Sequence, residues 1–321
     1  MLGAVFLVTA PFFGLVLFGY LAARSGRLPL NAIGGLNAFV LYFALPCMIF
    51  NFAAKASFHR LLDPALLVVY ALCALVIVFL AVFIARLRGL TIKDSAFGAM
   101  TAAFPNSGFI GVPLLAGLLG EPAVSSVILM IAVDIVITSS LCLAISESGR
   151  PGGFFKTLRV SLKAITRNPM FISIVLGGIF SAFEWGLYVP IESILKLLGS
   201  AASPVALFTI GAVLWRAQLL ARNQTHRPRP YMDVIVLKLV AHPILAVGMA
   251  SAVPNLFGLE LSPVILSTLI LTAALPSASN VALLAEHFGA DNSRIAKIIL
   301  ITTAVSFFSF SGLAVSIGMT R

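Results

Sequence analysis

The chain has 321 residues, 60% of them hydrophobic and 10% charged, with a mean hydropathy of +1.09. A soluble domain carries about a quarter charged residues, so this composition excludes an ordinary globular fold and defines an all-α polytopic membrane protein. The net charge of +10 does not predict a nucleic-acid partner, because Lys and Arg are scattered between apolar runs and form no basic face.

Apolar stretches of about 20 residues are long enough to cross the hydrocarbon layer. Ten are read, at approximately 4–23, 33–53, 64–85, 94–118, 122–146, 168–186, 197–219, 233–254, 262–286 and 293–317. No basic residue precedes Arg24, so the first run is expected to be a retained helix and not a cleaved signal. Cys47, Cys73 and Cys142 are far apart in apolar runs and match no metal spacing, so they read as small core residues. Neither a metal nor a cofactor is expected.

The fourth span is interrupted by Phe104-Pro105-Asn106-Ser107-Gly108-Phe109-Ile110-Gly111-Val112-Pro113, and the ninth by Leu275-Pro276-Ser277-Ala278-Ser279-Asn280. Proline lacks an N–H and clashes with the carbonyl one turn back, so each proline is expected to split its span into two half-helices. In hydrocarbon such a break survives only beside protein or a wet cavity. Paired broken helices in two repeats point to the binding site of a secondary transporter.

The loops give the topology. One side would hold Arg24 and Arg27; Arg86, Arg88 and Lys93; Arg150, Lys156, Arg159, Lys163 and Arg167; Arg216, Arg222, Arg227 and Arg229; and Arg294 and Lys297. The other would hold Lys55, Arg60, Lys196 and Arg321. This bias of sixteen to four places both termini outside and the 147–167 connection in the cytoplasm. Five spans on either side of that connection make an inverted repeat of residues 1–146 and 168–321. Leu45-Pro46-Cys47-Met48-Ile49-Phe50 in span two resembles Ser203-Pro204-Val205-Ala206-Leu207-Phe208 in span seven. The interval from Pro46 to Pro105 is 59 residues and that from Pro204 to Pro276 is 72; the basic loop at 220–232 accounts for the difference.

Neither break contains a charge, which favours an anion held by half-helix dipoles and neutral hydrogen bonds. The substrate-binding candidates are Pro105, Asn106, Ser107, Gly108, Pro276, Ser277, Ser279 and Asn280. The competing explanation is that these polar groups only satisfy the broken backbone. Asn51, Thr209 and His242 are candidates to line the cavity, although helices use such residues equally often as packing contacts. Asp134 sits midway along the fifth span, where a carboxylate costs about 2.5–3.5 kcal/mol to insert. It is the candidate for proton coupling, with a structural hydrogen-bond anchor as the alternative. Lys238 is close enough to its span end for snorkelling to be expected. His242 precedes Pro243 and is expected to bond a freed carbonyl. Glu286 and Asp291 are expected to be solvated. Ser107 with His242 would suit a serine protease only if the base reached the hydroxyl, no HExxH motif is present, and no enzyme is expected.

Together these segments resemble the auxin efflux carrier family, whose bacterial members include malonate and malate permeases. The resemblance also rests on Arg167-Asn168-Pro169, Lys238-Leu239-Val240-Ala241-His242-Pro243 and Ala285-Glu286-His287-Phe288-Gly289. It implies ten transmembrane helices in a 5+5 inverted repeat, with helices 4 and 9 crossing at mid-membrane. Helices 1, 2, 6 and 7 would form a scaffold domain, and helices 3–5 and 8–10 a transport domain moving as an elevator. A homodimer through the scaffold is also implied. The short central connection resembles the bacterial carriers. The expected function is a permease for a small mono- or dicarboxylate in a bacterial inner membrane, with a proton before sodium as coupling ion. The alternatives are a sodium-coupled carrier of a larger amphipathic acid and a non-transporting membrane sensor.

Overall fold

The computed structural model describes residues 2–149, 151–222 and 230–317. Arg150, Arg227, Arg229 and Arg321 of the charge count, and most of the 220–232 loop, lie outside the described residues. All regular structure among the described residues is helical. The helices are α1 (Leu2–Arg24), α2 (Ala32–Lys55), α3 (Pro64–Leu87), α4 (Ile92–Ala103), α5 (Ser107–Leu119), α6 (Glu121–Ser146) and α7 (Gly153–Ile165). They continue with α8 (Pro169–Ala182), α9 (Val189–Arg222), α10 (232–257), α11 (Pro263–Ala273), α12 (Val281–His287) and α13 (Asn292–Ser316).

Local sequence sets many of the boundaries. Asp63, Thr91, Asn168, Ser262 and Asp291 each cap a helix start by accepting a backbone N–H one turn on. Proline then occupies the first turn of α3, α8 and α11, where its missing N–H costs nothing. Gly120, at φ +78°, joins α5 to α6 through a backbone conformation that L side chains disfavour.

Six helices are long and apolar enough to cross a membrane: α2, α3, α6, most of α9, most of α10, and α13. The pair α7–α8, bent by 53°, makes a seventh if it is one span. Thr9–Arg24, α5 and α11 are shorter apolar helices. Phe18, Phe79, Phe83, Ile244 and Phe308 are each more than half exposed. Large apolar side chains spread over the outside of several helices fit a lipid environment, and the protein is a multi-pass helical membrane protein.

Two groups of contacts organise the bundle. In one, α1 packs along α9, α8 along α2, and α2 against α9. In the other, α3 packs on α4 and α10, while α6 contacts α4 and α11. Helix α13 touches both groups, with Phe13 of α1 against Phe307 at 4.6 Å between ring centroids.

Asp291, expected to be solvated, is partly buried, and Arg294 of the loop charge count is buried. Arg294 is 2% exposed, and its Nε and Nη1 donate to the carbonyls of Pro230 and Asp94 at 2.6 and 3.0 Å. Asp291 caps α13, and its own N–H donates to Asp94 Oδ1 at 2.9 Å. These bonds tie the start of α4 to the start of α13. Glu286 remains exposed, as expected.

Candidate functional site

The two predicted breaks fall at Phe104–Asn106, between α4 and α5, and at 274–280, between α11 and α12. Phe104 is forced into extended backbone, at φ −93° and ψ +102°, by the proline that follows it. That leaves N–H and C=O groups without helical partners, and the breaks satisfy one another. Asn106 N donates to Pro276 O at 2.8 Å, and Ala278 N donates to Phe104 O at 3.0 Å. Pro105 and Ser277 thereby form an isolated antiparallel bridge. Ser277 N is held from a third side by Thr302 Oγ1 of α13 at 3.3 Å. The two breaks therefore meet at one point, with their short extended segments antiparallel.

A cavity of about 470 Å³ lies against this crossing, within the range that holds small ligands. The first break supplies Pro105, Asn106, Ser107 and Gly108, and the second supplies Ala278 and Asn280. Apolar walls come from α2 through Leu41 and Leu45, from α6 through Ile131 and Ile135, and from α12 through Leu284. Val160, Ser161, Ala164 and Ile165 of α7 close another side, with Asn168 and Met170 beyond them. No charged side chain lines it among the described residues.

The polar groups at the crossing are incompletely used by the protein. Asn106 Nδ2, Ser107 Oγ, Ser277 Oγ and Asn280 Oδ1 are buried without a hydrogen-bond partner. A buried polar group left unpaired costs about 1–3 kcal/mol. Asn106 and Ser107 face the cavity, where a ligand or water would satisfy them. Gly108 leaves room for Met170 Cε, which would sit 3.1 Å from an added Cβ.

Not every predicted site residue joins this set. Ser279 lines a smaller space beyond the crossing, and Pro276 and Ser277 serve the bridge. Thr209 bonds its own helix, donating to Val205 O at 2.6 Å. Asn51 packs toward Gly199 of α9, and His242 lies behind the crossing; none of these three lines the cavity. Conversely, Ser139 and Ser140 of α6 do line it. Their only sequence signal was a pair of hydroxyls within an apolar span.

A buried polar cluster backs the site. Asp134 is fully buried, and its oxygens accept from Tyr70 Oη at 2.8 Å and from Thr138 Oγ1 at 3.1 Å. It opens a widened π-type stretch of α6, Asp134–Ser139, whose far end reaches the cavity. Lys238 does not snorkel. It is 0% exposed; its Nζ lies 3.2 Å from His242 Nδ1 and donates to Ala273 O at 3.2 Å. Ala273 ends α11, so the ammonium sits on the negative end of a half-helix, where a cation is favoured. His242 thus lies beside Lys238 and also faces the backbone of Ala102 in the last turn of α4, in keeping with the freed carbonyl expected as its partner.

Broken helices that meet beside a largely apolar cavity with a few neutral polar groups define a class of polytopic helical membrane protein. A family model described as "Membrane transport protein" matches residues 4–154 and 150–314, and the chain belongs to that family, the auxin efflux carrier family of membrane transporters. The chain is 29% identical over 309 residues to a Rhizobium meliloti protein named "Putative malonate transporter", covering 94% of this chain and 92% of that one. It is 30% identical over 298 residues, 92% of both chains, to an "Uncharacterized transporter" of Methanothermobacter thermautotrophicus. A partial match, 27% over 147 residues, covers 43% of this chain and 36% of the Arabidopsis thaliana protein PIN-LIKES 7. The family indicates a transporter, with a small-molecule substrate and a lipid environment, and not an enzyme.

Proposed function

We propose that the protein is a secondary carrier of a small organic anion, a mono- or dicarboxylate such as malonate or malate, working by elevator-type alternating access. The observation that carries this reading is the crossing itself. Unpartnered Asn106 and Ser107 groups face a cavity of about 470 Å³ at the point where the two breaks meet in an antiparallel bridge. Half-helix termini at such a crossing are suited to anions. The relative named for malonate, aligned over 92% of its length, supports the substrate class.

The antiparallel bridge supports a ten-span, 5+5 inverted repeat made of residues 1–146 and 168–321, joined by the linker 147–167. The packing of α1, α2, α8 and α9 on one another supports a scaffold of spans 1, 2, 6 and 7, with spans 3–5 and 8–10 moving against it. This scaffold is also the surface for a homodimer. The charge bias supports an inner-membrane protein with periplasmic termini. Asp134 is the proton-coupling group. Sodium is disfavoured by Lys238: carriers of this kind hold coupling cations at half-helix C-terminal ends, and here the Lys238 amine already occupies that end by bonding Ala273 O.

Proteoliposomes given labelled malonate, malate and acetate under pH, sodium or voltage gradients test the reading. Uptake of at least one carboxylate, weakened by Asn106→Ala, is expected. Binding without flux would support the membrane sensor instead, and strict sodium dependence the sodium-coupled carrier. Absence of both binding and flux for every carboxylate would refute the proposal.

A further inference from the structure

The sequence assigns Arg216 to the cytoplasmic charge count, and the structure adds a set of neighbours to it. It lines a second, smaller space of about 20 Å³ beside the crossing, with Asn37 of α2 and with Ser279 and Asn280 of the second break. Leu41, Phe109 and Asn280 border both this space and the main cavity. The two are thus neighbours, divided by two apolar side chains and one amide.

We infer that Arg216, Asn37, Ser279 and Asn280 form a second anion subsite that selects dicarboxylates over monocarboxylates. This rests on the carrier reading above and names its substrate class more narrowly. Among the described residues, Arg216 is the one charged side chain lining either space. It is partly buried and makes no hydrogen bond or ion pair with any described residue. A guanidinium presents five donors in a planar fork that matches a carboxylate, and partial burial strengthens such a bond relative to open water. Asn280 Oδ1 beside it is also buried and unpartnered.

Chemistry assigns the ligand. The main cavity offers neutral groups, enough to hold one carboxylate through hydrogen bonds. In malonate or malate the second carboxylate is only one or two carbons away. In a wholly neutral site that charge would have no counter-ion. Leu41 and Phe109, which border both spaces, must turn aside for it to reach Arg216, whereas a monocarboxylate has nothing to offer there. The space itself holds about one water, which the second carboxylate displaces. Because Arg216 stands on α9 and Asn280 on the break, the subsite is complete only while those elements are adjacent.

The test compares binding and uptake of malonate and acetate by the full chain, wild type against Arg216→Gln and Arg216→Lys. In Arg216→Gln the malonate-to-acetate affinity ratio should fall at least about tenfold, the effect of losing one charge-assisted hydrogen bond. Arg216→Lys keeps the charge without the fork and should fall between. If Arg216→Gln does not fold, judged by its melting in detergent, the Lys variant decides by the same ratio. An unchanged ratio, or equal weakening of both ligands, overturns the subsite. Wild-type protein that binds acetate but not malonate overturns it and leaves the carrier reading standing. Binding of neither ligand removes both.

Discussion

Asp134 has no exposed surface, yet each of its oxygens accepts a hydroxyl hydrogen bond, from Tyr70 and from Thr138. An intramembrane carboxylate is expensive, and two hydroxyl partners offset part of that cost without cancelling a charge. A purely structural anchor and a proton carrier therefore make different demands on it. Asp134→Asn keeps an acceptor of the same shape and removes the exchangeable charge. Expected is loss of uptake driven by a pH gradient, with exchange of internal for external carboxylate retained. Uptake that keeps its pH profile in the variant rejects the coupling role. Tyr70→Phe strips one hydroxyl from Asp134 and should lower stability by about 1–3 kcal/mol, the cost of a buried group left unpaired, read as a drop in melting temperature. At the same scale, Asp134 was legible from its depth in an apolar span. Tyr70 was not, because it stands 64 positions away and only the packing of α3 on α6 brings it near.

At the scale of the helix, the backbones of α1 and α9 cross closely at Gly19 and Gly211. A Cβ added at Gly19 would land on the carbonyl of Phe208, and one added at Gly211 on the carbonyl of Val16. Between membrane helices there is little hydrophobic drive, so small residues that let backbones approach supply the packing energy. Gly211→Val should force the pair apart, destabilising by about 1–3 kcal/mol or more. Gly34→Ala, at a site with nothing within 4 Å of the new methyl, should be neutral or stabilising. Thermal melting of both variants in detergent checks the contrast, and equal effects would show that α1 and α9 do not need this closeness. Sequence located the broken helices because Pro105 and Pro276 are each followed by polar residues within an apolar span, whereas Pro11 and Pro204 stand inside continuous helices. It could not locate this crossing, because Gly19 and Gly34 look alike until their neighbours are known. Lys238 was misread for a related reason: distance from a span end predicts snorkelling, but the carbonyl it bonds belongs to α11, 35 residues later.

For the whole molecule, the charge distribution and the crossing make a joint prediction. If the repeats are inverted, the 147–167 connection faces the cytoplasm and both termini the periplasm. Single cysteines placed at Ser148 and at the C-terminus of a cysteine-free variant should label from opposite sides with a membrane-impermeant maleimide. Labelling from the same side would break the ten-span reading. The sequence by itself determined the membrane class, the helical fold, the two proline breaks and the buried carboxylate, since each follows from composition or from a local backbone rule. Only the tertiary structure decided that the breaks bond one another, that Asn106 and Ser107 face a cavity while Asn51, Thr209 and His242 do not, and that Arg216 lies beside Asn280. Those outcomes depend on which helices pack together, and a contact between residues tens of positions apart has no local signature in the chain.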